Sequence, residues 1–153
     1  MTLNDISQIS QIIIALGTIF TAYYAFETSK KTTEMFSAQL KLNFFADYTK
    51  RYQEISLNFP QKIHDKNFDF EELESEIKEK TLRYMRAYFD LSSEEYFLWK
   101  NKNIDNNVWE EWKSGIECAM SKTAFQKGWE CIDTSYYDDF TVFIEDILKN
   151  NNK

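Results

Sequence analysis

The stretch ISQISQIIIALGTIFTAYYAF, residues 6–26, decides the architecture: 21 residues pass without a charged side chain. As an α-helix it would cover about 31 Å, one hydrocarbon thickness. Ile12–Phe26 is its dense apolar part. Tyr23, Tyr24 and Phe26 close it at the level where amphipathic rings favour a bilayer interface, and Lys30 and Lys31 follow at snorkelling distance. A signal peptide fits worse, because no Lys or Arg precedes the apolar run and no convincing cleavage site follows it. Ser7, Gln8, Ser10 and Gln11 are costly against lipid, so a buried helix of a soluble bundle is the competing reading. The spanning reading is the stronger one.

The polar positions of this stretch have a helical order. Gln8, Gln11, Ala15, Thr18 and Ala22 recur at three- and four-residue steps, and Gly17, Thr21 and Ala25 form a second line of small residues. Small residues let helices approach closely in lipid, and amides can hydrogen-bond across the contact. Self-association through Gln8, Gln11, Ala15, Gly17, Thr18 and Thr21 is therefore expected, and in a ring the Gln/Ser face could line a polar pore. The Lys30–Lys31 pair on one side, with no Lys or Arg before the span, predicts a cytoplasmic C-terminal part.

Beyond the span the chain reads as helices. The 153 residues contain only three Gly and one Pro, too few turn residues for a β-sandwich or a glycine-loop nucleotide fold. Phe36, Leu40, Phe44, Tyr48 and Tyr52 continue at i+4 spacing, so the spanning helix is expected to run on to Asn58–Pro60. Asp69 reads as the N-cap of a helix reaching about Lys100, with a break available at Ser92–Ser93. Asp105 caps the next helix, a short segment surrounds Ala124–Trp129, and Ser135 with Asp138 resembles a capping box before Phe140. The predicted fold class is all-α, an N-terminal transmembrane helix continuing into a cytoplasmic antiparallel helical bundle. Its parts are 1–31 (the membrane segment), 32–149 (the helical domain) and 150–153 (a frayed tail).

Charge narrows the partners. The net charge is −7, and residues 69–153 hold 19 acids against 11 bases. Nucleic acid would be repelled, since phosphate binding replaces counterions with Lys and Arg. A basic cytosolic protein is the complementary partner, and recruiting one to a monomeric anchor is the alternative function. Cys118 and Cys131 form neither a disulfide framework nor a metal-ligand pattern, and read as half-buried thiols in a reducing compartment.

Little points to catalysis. His64 is the sole histidine and falls in the predicted loop Pro60–Asp69. Helical ribonucleases of the HEPN type place Arg five residues before His, and position 59 is Phe. Glu94 and Glu95 interrupt an aromatic face, with Arg83 and Arg86 two to three turns before them. These four could form a polar cluster or a register-fixing ion pair. Trp99, Trp109 and Trp112 belong to an aromatic run larger than one small core requires, so part of it is expected to meet a neighbouring subunit or partner. No catalytic residue, cofactor or metal ligand is predicted.

The motifs FFADYTKRYQEI and RYMRAYFDLSSEEYFLWKNKNIDNNVWEEWKSGI, behind one N-terminal span, resemble small bacterial membrane-anchored helical proteins of unknown function. The layout is also similar to the one-span accessory protein of RNA-targeting type VI CRISPR loci. That resemblance implies a single-pass protein of the bacterial inner membrane, a homo-oligomer and a pore-type effector of antiphage defence. It brings no catalytic residues.

Overall fold

The computed structural model describes residues 3–151. It is all-α: α1 (Leu3–Ser56), α2 (Ser75–Lys100), α3 (Asn106–Met120), α4 (Thr123–Glu130) and α5 (Asp139–Asn151), with 3₁₀ turns at Gln61–His64 and Phe70–Glu72. Among the described residues there is no strand. The chain divides into two compact units, 1–45 and 46–153.

Among the described residues, the first unit is a length of α1 alone. It contains a stretch long and apolar enough to cross a membrane. Neither Gly nor Pro occurs from Thr18 to Phe59, so nothing in the chain ends the helix at the expected boundary of 31–32. Thr32 and Thr33 donate their hydroxyls to the carbonyls of Thr28 and Ser29 (2.9 Å each), which satisfies them within the helix. Phe36, Leu40 and Phe44, on the i+4 line beyond the membrane segment, are exposed at 64%, 41% and 54%. Tyr48, one turn further on, is the first buried side chain of α1 among the described residues.

The second unit holds the core. Met85 and Phe89 of α2, Trp109, Ile116 and Met120 of α3, Phe125 and Trp129 of α4, and Phe140 and Ile144 of α5 form one cluster. Ile63 and Phe70, from the two 3₁₀ turns, close it and are fully buried. Rings meet mostly edge to face or tilted: Phe89 on Trp129 at 5.0 Å, Tyr88 on Phe125 at 5.1 Å.

Several ends differ from expectation. Asp69 caps the 3₁₀ turn, accepting from the Glu71 N–H at 3.0 Å, and α2 starts at Ser75. Its carboxyl also takes an ion pair from Lys127, which holds its pKa down. No break occurs at Ser92–Ser93, because Ser92 is buried within a continuous α2. That helix stops without glycine: Asn103 N–H reaches Leu98 O (2.8 Å) and Lys102 N–H reaches Trp99 O (2.9 Å), with Lys102 at φ 59°. The capping box before α5 does not form. Ser135 N–H instead donates to Asp133 Oδ1 at 3.0 Å, and Asp138 takes φ 44°. α5 continues through Asn151, so the frayed tail does not begin at Asn150, and residues 152–153 lie outside the described ones.

Gly128 of α4 packs directly against Met85 of α2. A Cβ there would overlap Met85 Sδ, inside a core where Met85 is fully buried. Gly128→Val is expected to cost about 1–3 kcal/mol through overpacking. Unfolding followed by tryptophan fluorescence checks this, since all four tryptophans lie in the second unit; an unchanged Tm would refute the close packing.

Candidate functional site

Two places in the chain concentrate polar groups in unusual surroundings. The first is the apolar length of α1. Gln8, Gln11, Ala15, Gly17, Thr18 and Thr21 are all exposed on it. At 100° per residue, Gly17 stands about 180° from Gln8, so the six residues form two strips and not one face. Thr18 Oγ1 donates to the Ile14 carbonyl (2.9 Å) and Thr21 Oγ1 to the Gly17 carbonyl (2.8 Å). The threonines therefore carry no unmet hydrogen bond into their surroundings. The Gln8 and Gln11 amides make no such internal bond among the described residues. A Cβ at Gly17 would meet nothing within 4 Å.

The second place is where the last turns of α1 meet α2. Arg51 Nη1 donates to Glu94 Oε2 at 2.7 Å and Nη2 donates to Oε1 at 3.1 Å, a two-pronged pair. The Tyr48 hydroxyl donates to the same Oε2 at 3.2 Å. Tyr48 also lies under the guanidinium, 5.2 Å from Cζ, and stacks on Trp112 of α3 at 5.2 Å. Three helices are thus tied at one point.

The electrostatics follow from this geometry. The Arg51 hydrogen bonds hold the Glu94 carboxyl below the usual carboxylate range, and the same bonds raise Arg51. Burial, reinforced by Glu94, pushes the Tyr48 phenol up to about 12. Glu95 is the outlier. It is 7% exposed, and burial pushes its carboxyl up to about 8; Arg51 opposes that rise and Glu94 adds to it.

The four residues expected to form a polar cluster lie in separate places. Glu94 and Glu95 sit where α1 meets α2, but the arginine there is Arg51. Arg83 is exposed and pairs with Glu79 one turn back at 3.6 Å, and Arg86 is exposed and faces Asp133. An open groove of about 600 Å³ runs beside the pair, lined among others by Glu54, Tyr84 and Asp90. Asp90 accepts the Tyr137 hydroxyl at 2.6 Å.

Trp99, Trp109 and Trp112 lie in different surroundings. Trp109 is 2% exposed and belongs to the domain's own core. Trp99 stacks on it at 4.9 Å and 13°, and Trp112 is committed to Tyr48. The surplus rings fill an aromatic layer of α2, α3 and α5 in which Tyr96 touches Trp99, Trp109, Phe140 and Phe143. Both cysteines are exposed, not half-buried, and unpaired.

Among the described residues, no group of three or more His, Cys, Asp or Glu is placed to hold a metal ion. The Arg51–Glu94–Tyr48 arrangement can hold helices in register and present charge. Sequence reasoning missed Arg51 because its partner lies on another helix, and the FFADYTKRYQEI segment marks it only as one of two adjacent bases. No family model matches the chain, and no curated protein or solved structure does either.

Proposed function

We propose that this chain is a non-enzymatic membrane protein that self-associates through α1, with the helical domain on the cytoplasmic side as the reporting or effector part. The observation that carries the reading is the uncovered apolar surface of residues 6–45. Lipid accounts for 6–26. It does not account for Met35, Phe36, Leu42 and Phe44, which lie beyond one hydrocarbon thickness and are each more than half exposed. The same segment of further copies covers them. The open space at Gly17 and the unbonded Gln8 and Gln11 amides fit close helix contacts within the bilayer. In a closed ring Gln8 and Gln11 line a polar lumen, the arrangement of a pore-type antiphage effector. The Lys30–Lys31 pair supports the cytoplasmic side for α2–α5.

Light scattering of the detergent-solubilised protein, with the detergent mass subtracted, tests this reading. The expected result is a discrete closed oligomer, with Gly17→Leu and Gln11→Leu each shifting it toward smaller species. A monomer overturns self-association and leaves recruitment of a basic partner as the function. A closed oligomer that conducts no ions in planar bilayers overturns the pore.

A further inference from the structure

A second, narrower cavity opens at the surface of the helical domain, where the last turns of α1, the turn Gln61–His64, α2, α3 and α4 converge and Tyr52, His64, Gly115 and Cys118 are exposed. Its volume is about 130 Å³. By volume alone, an enclosed core cavity of about 150 Å³ takes up benzene, so one six-membered ring is the scale of occupant. Phe59 and Phe125, edge to face at 5.6 Å, and Ala119 supply apolar wall. His64 and Lys122 supply donors, with the Tyr52 and Ser56 hydroxyls beside them.

Two features set this cavity apart. No carboxylate lines it, in a domain whose residues 69–153 carry 19 acids against 11 bases. Lys122 and His64 carry no ion pair among the described residues, so an anion bound here displaces no carboxylate. The second feature is Gly115, inside α3. A glycine in a helix interior costs about 1 kcal/mol relative to alanine. Gly128 meets that cost with a close helix contact, but a Cβ at Gly115 would touch nothing within 4 Å. Its missing side chain leaves the wall of the cavity open.

We propose that this cavity binds a small organic anion, a monocarboxylate carrying one ring-sized apolar body. The ring lies against Phe59 and Phe125 and the carboxylate against Lys122 and His64. Because Tyr52 and Ser56 belong to α1, an occupant joins the end of that helix to α3 and α4. The site stands whether or not the chain self-associates.

Cys118 lines the cavity and Cys131 is exposed outside its lining, so the two thiols give an internal control. The full chain in a non-ionic detergent is alkylated with a maleimide in the presence of millimolar benzoate, and each cysteine is followed by peptide mass spectrometry. The expected result is a saturable, several-fold slowing at Cys118 with Cys131 unchanged. Benzyl alcohol and benzylamine, of the same size, protect less. Lys122→Gln removes the preference for benzoate over benzyl alcohol. Gly115→Leu keeps or raises the Tm followed by tryptophan fluorescence and abolishes the benzoate signal in saturation-transfer NMR. Equal protection by the neutral or cationic analogue, equal slowing of both cysteines, or no protection at tens of millimolar overturns the proposal. So does benzoate binding that survives Gly115→Leu.

Discussion

Glu95→Gln is expected to stabilise the helical domain by about 3 kcal/mol at pH 7, with the gain shrinking to under about 1 kcal/mol at pH 5. The carboxyl of Glu95 is pushed from its ordinary 4.5 up to about 8, chiefly by burial. Between those two values the folded domain keeps a proton that the unfolded chain has released. Stability from this group is therefore complete below pH 4.5, falls as the pH rises toward 8, and is level above it. Glutamine has the same shape and the polarity of the neutral acid but never ionises, so it removes the decline without removing the packing. Tryptophan-monitored melts at pH 5, 7 and 8 measure the effect. Parallel curves for the two proteins, offset equally at every pH, would show that Glu95 ionises freely in the fold.

The groups around Glu95 act in other windows. Glu94, lowered by the Arg51 hydrogen bonds, adds stability above pH 4.5 that is lost as the pH falls through its depressed value. The pair is half-exposed, so solvent screening keeps that contribution small. Tyr48, raised to about 12, and Tyr88, raised by burial, penalise the fold only above the ordinary phenol value of 10. Across pH 5 to 8 the titration of this corner is that of Glu95.

What could be read in the chain was local. The bounds of α2 at Lys100, of α3 behind Asp105 and of α4 around Ala124–Trp129 follow from apolar periodicity and capping residues. The partner of Glu94 could not be read, because Arg51 lies 43 residues away and nothing near either residue announces the other. Arg83 and Arg86 attracted attention only because they share a helix with Glu94. The i+4 line from Phe36 to Tyr52 shows a different limit. Its spacing is uniform, yet Phe44 is open and Tyr48 buried, since periodicity records that a face is apolar and not what covers it. Asp69, Ser135 and Asp138 show a third. The side chains favoured at helix N-caps also form Asx turns and tolerate positive φ, so composition alone did not say which role each takes. His64 and Cys118 come together at one cavity only through the fold.

Trp109→Ala is expected to cost the helical domain about 3–5 kcal/mol, the range for emptying a large aromatic site in a core. In a domain of this size that corresponds to a Tm lower by roughly 15–25 °C. The magnitude follows from its surroundings: Trp109 is 2% exposed, stacks on Trp99, and meets Tyr96 at 5.7 Å and Phe143 at 5.6 Å. Truncation would strip three rings of a neighbour at once. Trp109→Phe retains a ring and should lose about 1–2 kcal/mol. Trp99→Ala, at the half-buried end of the same stack and held by its Nε1–H to Asn106 Oδ1 at 3.1 Å, should cost less than Trp109→Ala. The comparison also decides what the aromatic run is for. If Trp109 served a subunit contact, its truncation would change the oligomer mass and spare the Tm. A core residue does the reverse: the Tm falls while the mass of the protein still folded at low temperature stays as it was.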